Sequence, residues 1–110
     1  MQITVTGKHV EVSADVKKYA LEKADRLPRF YDRIQSIEVI LGHEADQFSV
    51  EILVNAGARN TFVGCERGTD TFALIDLTVD KLERQLTKHK EKLRNRMHVN
   101  RRRSPPPEAS

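Results

Sequence analysis

Residues 70–93, with the sequence DTFALIDLTVDKLERQLTKHKEKL, form the longest periodic segment of this chain. Apolar residues recur in it at alternating spacings of three and four, which places them on one face of an α-helix. They are Phe72, Ile75, Val79, Leu82, Leu86 and Leu93, with His89 at the one place in the series that is not apolar. The pattern predicts a helix from Asp70 to about Arg96 whose apolar seam packs on a core. We expect Leu82 and Leu86, in the middle of the seam, to be fully buried.

The polar residues of this helix are divided by charge. With Leu82 at the centre of the seam and about 100° per residue, the cations fall together on one flank, with Arg84 just behind it. They are Lys81, Arg84, Lys88 and Lys92. Asp76, Asp80 and Glu83 fall on the other flank or the back, where we expect Asp76 to face solvent. A one-sided cationic flank indicates a polyanionic partner, although a solvated face without a ligand is an alternative.

Positive charge is also concentrated toward the C-terminus of the whole chain. Residues 1–80 hold nine basic and thirteen acidic residues, a net charge of −4, whereas residues 81–110 hold ten basic and three acidic residues, a net charge of +7. The pI of about 9.2 therefore comes from the C-terminal third. Arg101, Arg102 and Arg103 belong to this third and are candidate phosphate contacts, unless they form only a solvated tail.

Length and composition limit the class of protein. The chain has 110 residues, of which 38% are hydrophobic and 5% aromatic, so one domain with a modest aliphatic core is expected. No apolar run approaches the roughly 18 residues of a membrane helix, and the N-terminus lacks the apolar region of a signal peptide. Cys65 is the single cysteine, which excludes an internal disulfide. We expect a cytoplasmic, monomeric protein without metal or cofactor.

The remaining elements follow from alternation and capping. Strands are predicted at residues 3–6, 34–41, 48–54 and 60–65. Ser13 is a suitable N-cap for a first helix that runs to about Leu27, before Pro28, with Val16, Ala20, Ala24 and Leu27 on its apolar face. Lys23 and Arg26 lie beside that face and are further candidate contacts to a polyanionic partner. The order β-α-β-β-β-α predicts an α+β domain at residues 1–97, with both helices on one face of a four-stranded sheet. Residues 98–110, rich in Arg, Pro and Ser, are expected to be a disordered tail.

Four segments are similar to the ribosome hibernation promoting factor family. They are MQITVTG at residues 1–7, FYDRI at 30–34, DTFALID at 70–76 and DKLERQLTKHKEKL at 80–93. The resemblance extends to about residue 96 and implies a short-form member. It implies a β-α-β-β-β-α domain that binds the small ribosomal subunit in the channel of messenger and transfer RNA, inhibits translation and preserves idle ribosomes. Whether ribosome dimers are promoted or blocked stays open.

Other interpretations of the same residues remain. A generic double-stranded RNA-binding module also places helices on one face of a sheet. An enzyme, for instance a metal-dependent nuclease, is opposed by the lack of spaced ligands, a Gly-rich phosphate loop or an activated nucleophile. We expect His89 to pack at the helix edge and Cys65 to be an inert thiol. Phe30 and Tyr31 are expected to pack in or beside the core, with base stacking as the alternative.

Overall fold

The computed structural model describes residues 2–57 and 60–102, with side chains as far as Leu93. Its elements are β1 (Gln2–Lys8), α1 (Ala14–Ala24), a 3-10 turn (Leu27–Arg29), β2 (Ile34–Glu44), β3 (Gln47–Ala56), β4 (Asn60–Gly68) and α2 (Thr71–Arg102). The predicted order β-α-β-β-β-α is confirmed. All four strands extend beyond their predicted ends.

The strands form one mixed sheet with the order β1-β2-β3-β4. β1 runs parallel to β2, while β2–β3 and β3–β4 are antiparallel. Helix α1 therefore serves as the crossover that a parallel neighbour requires. Apolar residues in register form rows on the face that packs against the helices, for example Ile3, Ile37, Val54 and Phe62. The two helices cover this one face, and the other face carries most of the polar strand residues.

The predicted seam of α2 is confirmed in its middle and wrong at its ends. Leu82 and Leu86 have no exposed surface, but Phe72 is 41% exposed and Leu93 is 37% exposed. A helix of 32 residues is roughly 48 Å long, whereas the nine residues of β4 span roughly 30 Å. The sheet is therefore too short to cover the C-terminal end of the seam, where Leu93 lies.

A side chain outside the predicted seam brings α2 close to β4. Thr78 is fully buried, and its hydroxyl donates a hydrogen bond of 2.7 Å to the carbonyl of Leu74. A Cβ atom on Gly64 would lie 3.1 Å from Cγ2 of Thr78 and 3.2 Å from Cγ of Leu82. Helix and strand can approach this closely because β4 has glycine at this position.

Helix α1 begins where the sequence predicts and ends earlier. The hydroxyl of Ser13 accepts a hydrogen bond of 3.2 Å from the N–H of Val16, which confirms the N-cap. The helix ends at Ala24 rather than at Leu27. Pro28 disfavours helical backbone at the residue before it, and a short 3-10 turn over Leu27–Arg29 takes the place of the last turn.

Helix α2 continues to Arg102, beyond the end predicted near Arg96. The prediction ended the helix where the apolar seam ends, but no glycine or proline interrupts the chain until Pro105. Residues 103–110 lie outside the described part of the chain, so the predicted division into a domain and a disordered tail stays a prediction. Among the described residues, no helix combines the length and apolar character needed to cross a membrane.

Candidate nucleic-acid interface

Three cations form a row along the outer surface of α2. Arg84, Lys88 and Lys92 are all exposed, and successive members are about 6 Å apart along the helix axis. Within the part of the chain that the structure describes, none of the three takes part in an ion pair. We call these three residues the cationic row. Their charges are available to a ligand without the rupture of an internal ion pair.

Lys81, the fourth predicted cation of α2, is engaged in the fold. Its Nζ lies 2.6 Å from Oε2 of Glu66 and 3.4 Å from the carbonyl oxygen of Cys65, both on the edge strand β4. Gln85 also contacts β4, since its Nε2 donates a hydrogen bond of 3.0 Å to the carbonyl of Val63. These contacts attach α2 to outward-facing backbone groups of the edge strand. The sequence pattern missed the Glu66 partner because only the folded chain brings strand and helix together.

The two cations predicted on α1 lie against the acidic flank of α2. Nζ of Lys23 is 3.5 Å from Oδ1 of Asp76, and a terminal nitrogen of Arg26 is 3.3 Å from Oε2 of Glu83. Partly exposed ion pairs such as these stabilise a fold only slightly. Their larger effect here is on charge, since α1 offsets the acidic side of α2 while the cationic row keeps its full positive charge.

Asp76 is also a hydrogen-bond acceptor, although its side chain is 43% exposed to solvent, in line with the expectation from the sequence. The hydroxyl of Tyr19 donates to both carboxylate oxygens, at 2.7 and 2.9 Å. This hydrogen bond to a carboxylate raises the pKa of the Tyr19 phenol above its ordinary value. The Tyr19 ring meets Phe72 edge-on, with 5.1 Å between centroids, which explains how Phe72 is held outside the predicted seam.

The two aromatic residues of the FYDRI segment have different environments. Tyr31 is buried and meets both Phe62 and His89 edge-on. This contact confirms that His89 is a packing residue, and the burial of Tyr31 makes it unsuitable for stacking on a base. Phe30 is only partly buried against the core. It lines a shallow depression on the outer surface of α2 together with Arg84 and Lys88.

The structure describes the three arginines predicted near the C-terminus only in part. The backbone of Arg101 and Arg102 belongs to the last turn of α2, but their side chains, and all of Arg103, lie outside the described residues. Their phosphate contacts stay a prediction. Cys65 is an exposed free thiol on β4. Among the described residues, no three His, Cys, Asp or Glu side chains are grouped so that they could hold a metal ion.

Two helices on one face of a mixed four-stranded sheet, with a cationic row on the longer helix, define a class of small α+β domains. The family model described as "Sigma 54 modulation protein / S30EA ribosomal protein" matches residues 3–94. The chain belongs to this family. The match covers the described strands and helices apart from Gln2 at the start of β1 and the C-terminal end of α2.

Individual relatives agree with this assignment over most of their own length. The chain is 39% identical over 92 residues to a ribosome hibernation promoting factor of Pseudomonas putida, which covers 84% of this chain and 89% of the relative. It is 34% identical over 94 residues to the factor of the same name in Escherichia coli, covering 86% and 98%.

Solved structures show the same fold. A ribosomal subunit interface protein from Coxiella burnetii has a TM-score of 0.76 at 27% identity, covering 83% of this chain and 99% of the other. The N-terminal domain of Protein Y from Thermus thermophilus has a TM-score of 0.72 at 27% identity, covering 81% and 99%.

Proposed function

We propose that this protein is a ribosome hibernation factor that binds the small ribosomal subunit in the channel of messenger and transfer RNA. Bound there, it inhibits translation and preserves idle ribosomes in the cytoplasm, without chemistry of its own. Family membership and the names of relatives, which are hibernation promoting factors and ribosomal interface proteins, support a ribosome-associated role. The observation in this structure that carries the proposal is the cationic row.

The charge arrangement suits ribosomal RNA. Each cation that contacts a phosphate releases condensed counterions, so the binding free energy of such a surface comes mainly from charge and depends on salt. Arg84, Lys88 and Lys92 enter such contacts without breaking an ion pair within the described residues. Lys81, Lys23 and Arg26 are secondary contacts in this proposal, because each would share its charge with a carboxylate already beside it.

Charge reversal on the cationic row tests the proposal. Changing both Lys88 and Lys92 to Glu should abolish co-sedimentation with small ribosomal subunits, while circular dichroism and thermal unfolding remain as in the wild type. A single neutral substitution in the row should flatten the slope of log affinity against log salt by about one unit, because one cation no longer meets a phosphate.

The matched control reverses two cations on the face of the sheet away from the helices. Lys8 and Arg67 are exposed residues at the ends of one row of strand partners. The variant K8E/R67E has the same change in net charge as K88E/K92E and should retain binding. If K88E/K92E binds like the wild type, or if both double variants lose binding equally, the cationic row is not the interface.

A generic double-stranded RNA-binding module is the second candidate from the sequence, and competition separates it from the first. A factor in the channel should be displaced from small subunits by transfer RNA and should bind a plain RNA duplex weakly. Equal affinity for the duplex and for the subunit, with no competition by transfer RNA, would favour the generic module.

A further inference from the structure

Phe30 differs from the other aromatic residues of the described chain in its contacts with other rings. The described residues include all four phenylalanines and both tyrosines of the chain. Among them, Phe30 alone has no ring-to-ring contact, whereas the other five pair with one another or with a histidine. Its ring is partly buried against the core, and part of it stays accessible.

The backbone holds Phe30 in a defined position. The residue follows the 3-10 turn Leu27–Arg29, and its N–H donates a hydrogen bond of 2.9 Å to the carbonyl of Leu27. Leu27 is fully buried and Tyr31 is buried on the other side. The first residue of the turn and the residue after Phe30 are thus both anchored in the core, which limits the movement of the Phe30 ring.

The accessible part of Phe30 lies beside the cationic row. Phe30, Arg84, Thr87 and Lys88 line one shallow depression of about 600 Å³ on the outer surface of α2. Two carboxylates also line it: Glu83 is paired with Arg26, and Glu91 is exposed at the rim beside Lys88. The depression therefore offers an aromatic surface, a hydroxyl and two cations without an ion pair among the described residues. Aromatic surfaces interleaved with cations are typical of sites for single-stranded nucleic acid.

We propose that Phe30 stacks on an unpaired base of the RNA whose phosphates contact Arg84 and Lys88. This inference rests on the proposed function and specifies the ligand of the same surface. Bases inside a duplex are stacked on one another and cannot present a face to a side chain, so the ligand is a nucleotide in a loop, a bulge or a single strand. Stacking tolerates any base, because every base has a π-face.

A fluorescent reporter tests the stacking directly. The chain has no tryptophan, so Phe30→Trp introduces a single reporter at the site. Its emission should be quenched when single-stranded oligouridylate or small ribosomal subunits bind, and much less by a blunt RNA duplex. Phe72→Trp is the matched control, since Phe72 is partly exposed on α2 but packs against Tyr19. Its emission should not change.

Affinity measurements separate stacking from charge. Phe30→Leu keeps an apolar side chain and removes the flat ring, so affinity for oligouridylate should fall by about 5- to 150-fold. The slope against log salt should stay unchanged, because every cation of the row still meets its phosphate. Phe30→Tyr should restore wild-type affinity, and Phe72→Leu should retain it. If Phe30 served only in folding, Phe30→Leu would lower the thermal stability, and affinity for oligouridylate would not depend on whether residue 30 has an aromatic ring.

The outcomes distinguish this inference from the proposed function. If Phe30→Leu and the wild type bind equally while K88E/K92E loses binding, stacking is wrong and the cationic row stands. Equal quenching of the tryptophan at positions 30 and 72, or none at position 30, would also overturn stacking. If K88E/K92E binds normally, the cationic row is not the interface, and the stacking inference loses the phosphate contacts on which it depends.

Discussion

Single residues of α2 differ sharply in what surrounds them, although the helix is regular. Leu82 and Leu86 are fully buried, whereas Leu77 on the same helix is 52% exposed. The backbone is helical at all three positions, so differences in stability after truncation to Ala reflect packing rather than helix propensity.

Truncation at the two buried positions should destabilise the domain strongly. Leu82→Ala or Leu86→Ala should each lower the free energy of unfolding by about 2–5 kcal/mol, since each removes buried methyl groups and leaves a cavity. Leu77→Ala, the matched control, should change it by no more than about 0.5 kcal/mol. Chemical denaturation measures all three. A decrease below about 1 kcal/mol at Leu82 would contradict the burial of the seam.

At the scale of elements, the junction of α1 and α2 combines one hydrogen bond with two ion pairs. Asp76 accepts from Tyr19 and pairs with Lys23, and Arg26, just past the end of α1, pairs with Glu83. Apart from the edge-on contact of Tyr19 with Phe72, large side chains contribute little apolar contact to this junction, because α1 has alanine at its buried positions Ala20 and Ala24. The polar groups therefore orient one helix on the other.

The pKa of Tyr19 reports on this junction. Asp76→Asn should lower the pKa of Tyr19 toward its ordinary value of about 10, because the charged acceptor that raises it is removed. In a Tyr31→Phe background, Tyr19 is the only tyrosine, and an ultraviolet titration follows it alone. Asp80→Asn, an exposed acidic residue of the same helix, should leave the titration unchanged.

The same bond makes stability depend on pH in the alkaline range. The pKa is higher in the folded state than in the unfolded chain, so the hydrogen bond contributes stability that is fully present below pH about 10. That contribution is lost as the pH rises through the raised pKa and the phenol ionises. The advantage in melting temperature of the wild type over Asp76→Asn should therefore narrow as the pH rises through the pKa of Tyr19. A constant difference would show that the bond contributes nothing.

At the scale of the whole molecule, charge and packing occupy different parts of the chain. In the described residues, the buried side chains of α2 end at Leu86, whereas the net charge of +7 belongs to residues 81–110. Within α2, the segment that contributes to the core and the positively charged segment overlap only at residues 81–86. Changes beyond Leu93 should therefore affect binding more than stability.

Truncation after Met97 tests this separation. The melting temperature should change little, because the removed residues include only Val99 and Ala109 as aliphatic side chains. Ribosome binding should weaken modestly, more evidently at higher salt, since Arg101, Arg102 and Arg103 are removed. Translation should still be inhibited at saturating protein. Equal affinity across a salt series would mean that the tail is passive, and a large fall in melting temperature would mean that it docks on the domain.

The order of the elements, the buried middle of α2 and the division of charge could all be predicted from the order of the amino acids. These features depend on spacing along the chain, such as the positions of Ile75, Leu82 and Leu86, and on caps such as Ser13 and Asp70. The periodicity that predicts them is local, so no knowledge of distant contacts is needed.

The availability of each cation and the accessibility of each aromatic residue depend instead on contacts between elements that are distant in the sequence. Lys81 and Arg84 look equivalent in the sequence, but Glu66 of β4 reaches only Lys81. Phe30 and Tyr31 are adjacent, yet the turn directs Tyr31 into the core against Phe62 and leaves Phe30 beside the cationic row. In each case the deciding partner is on another element, and its distance is set by the packing of α2 on the sheet rather than by sequence spacing.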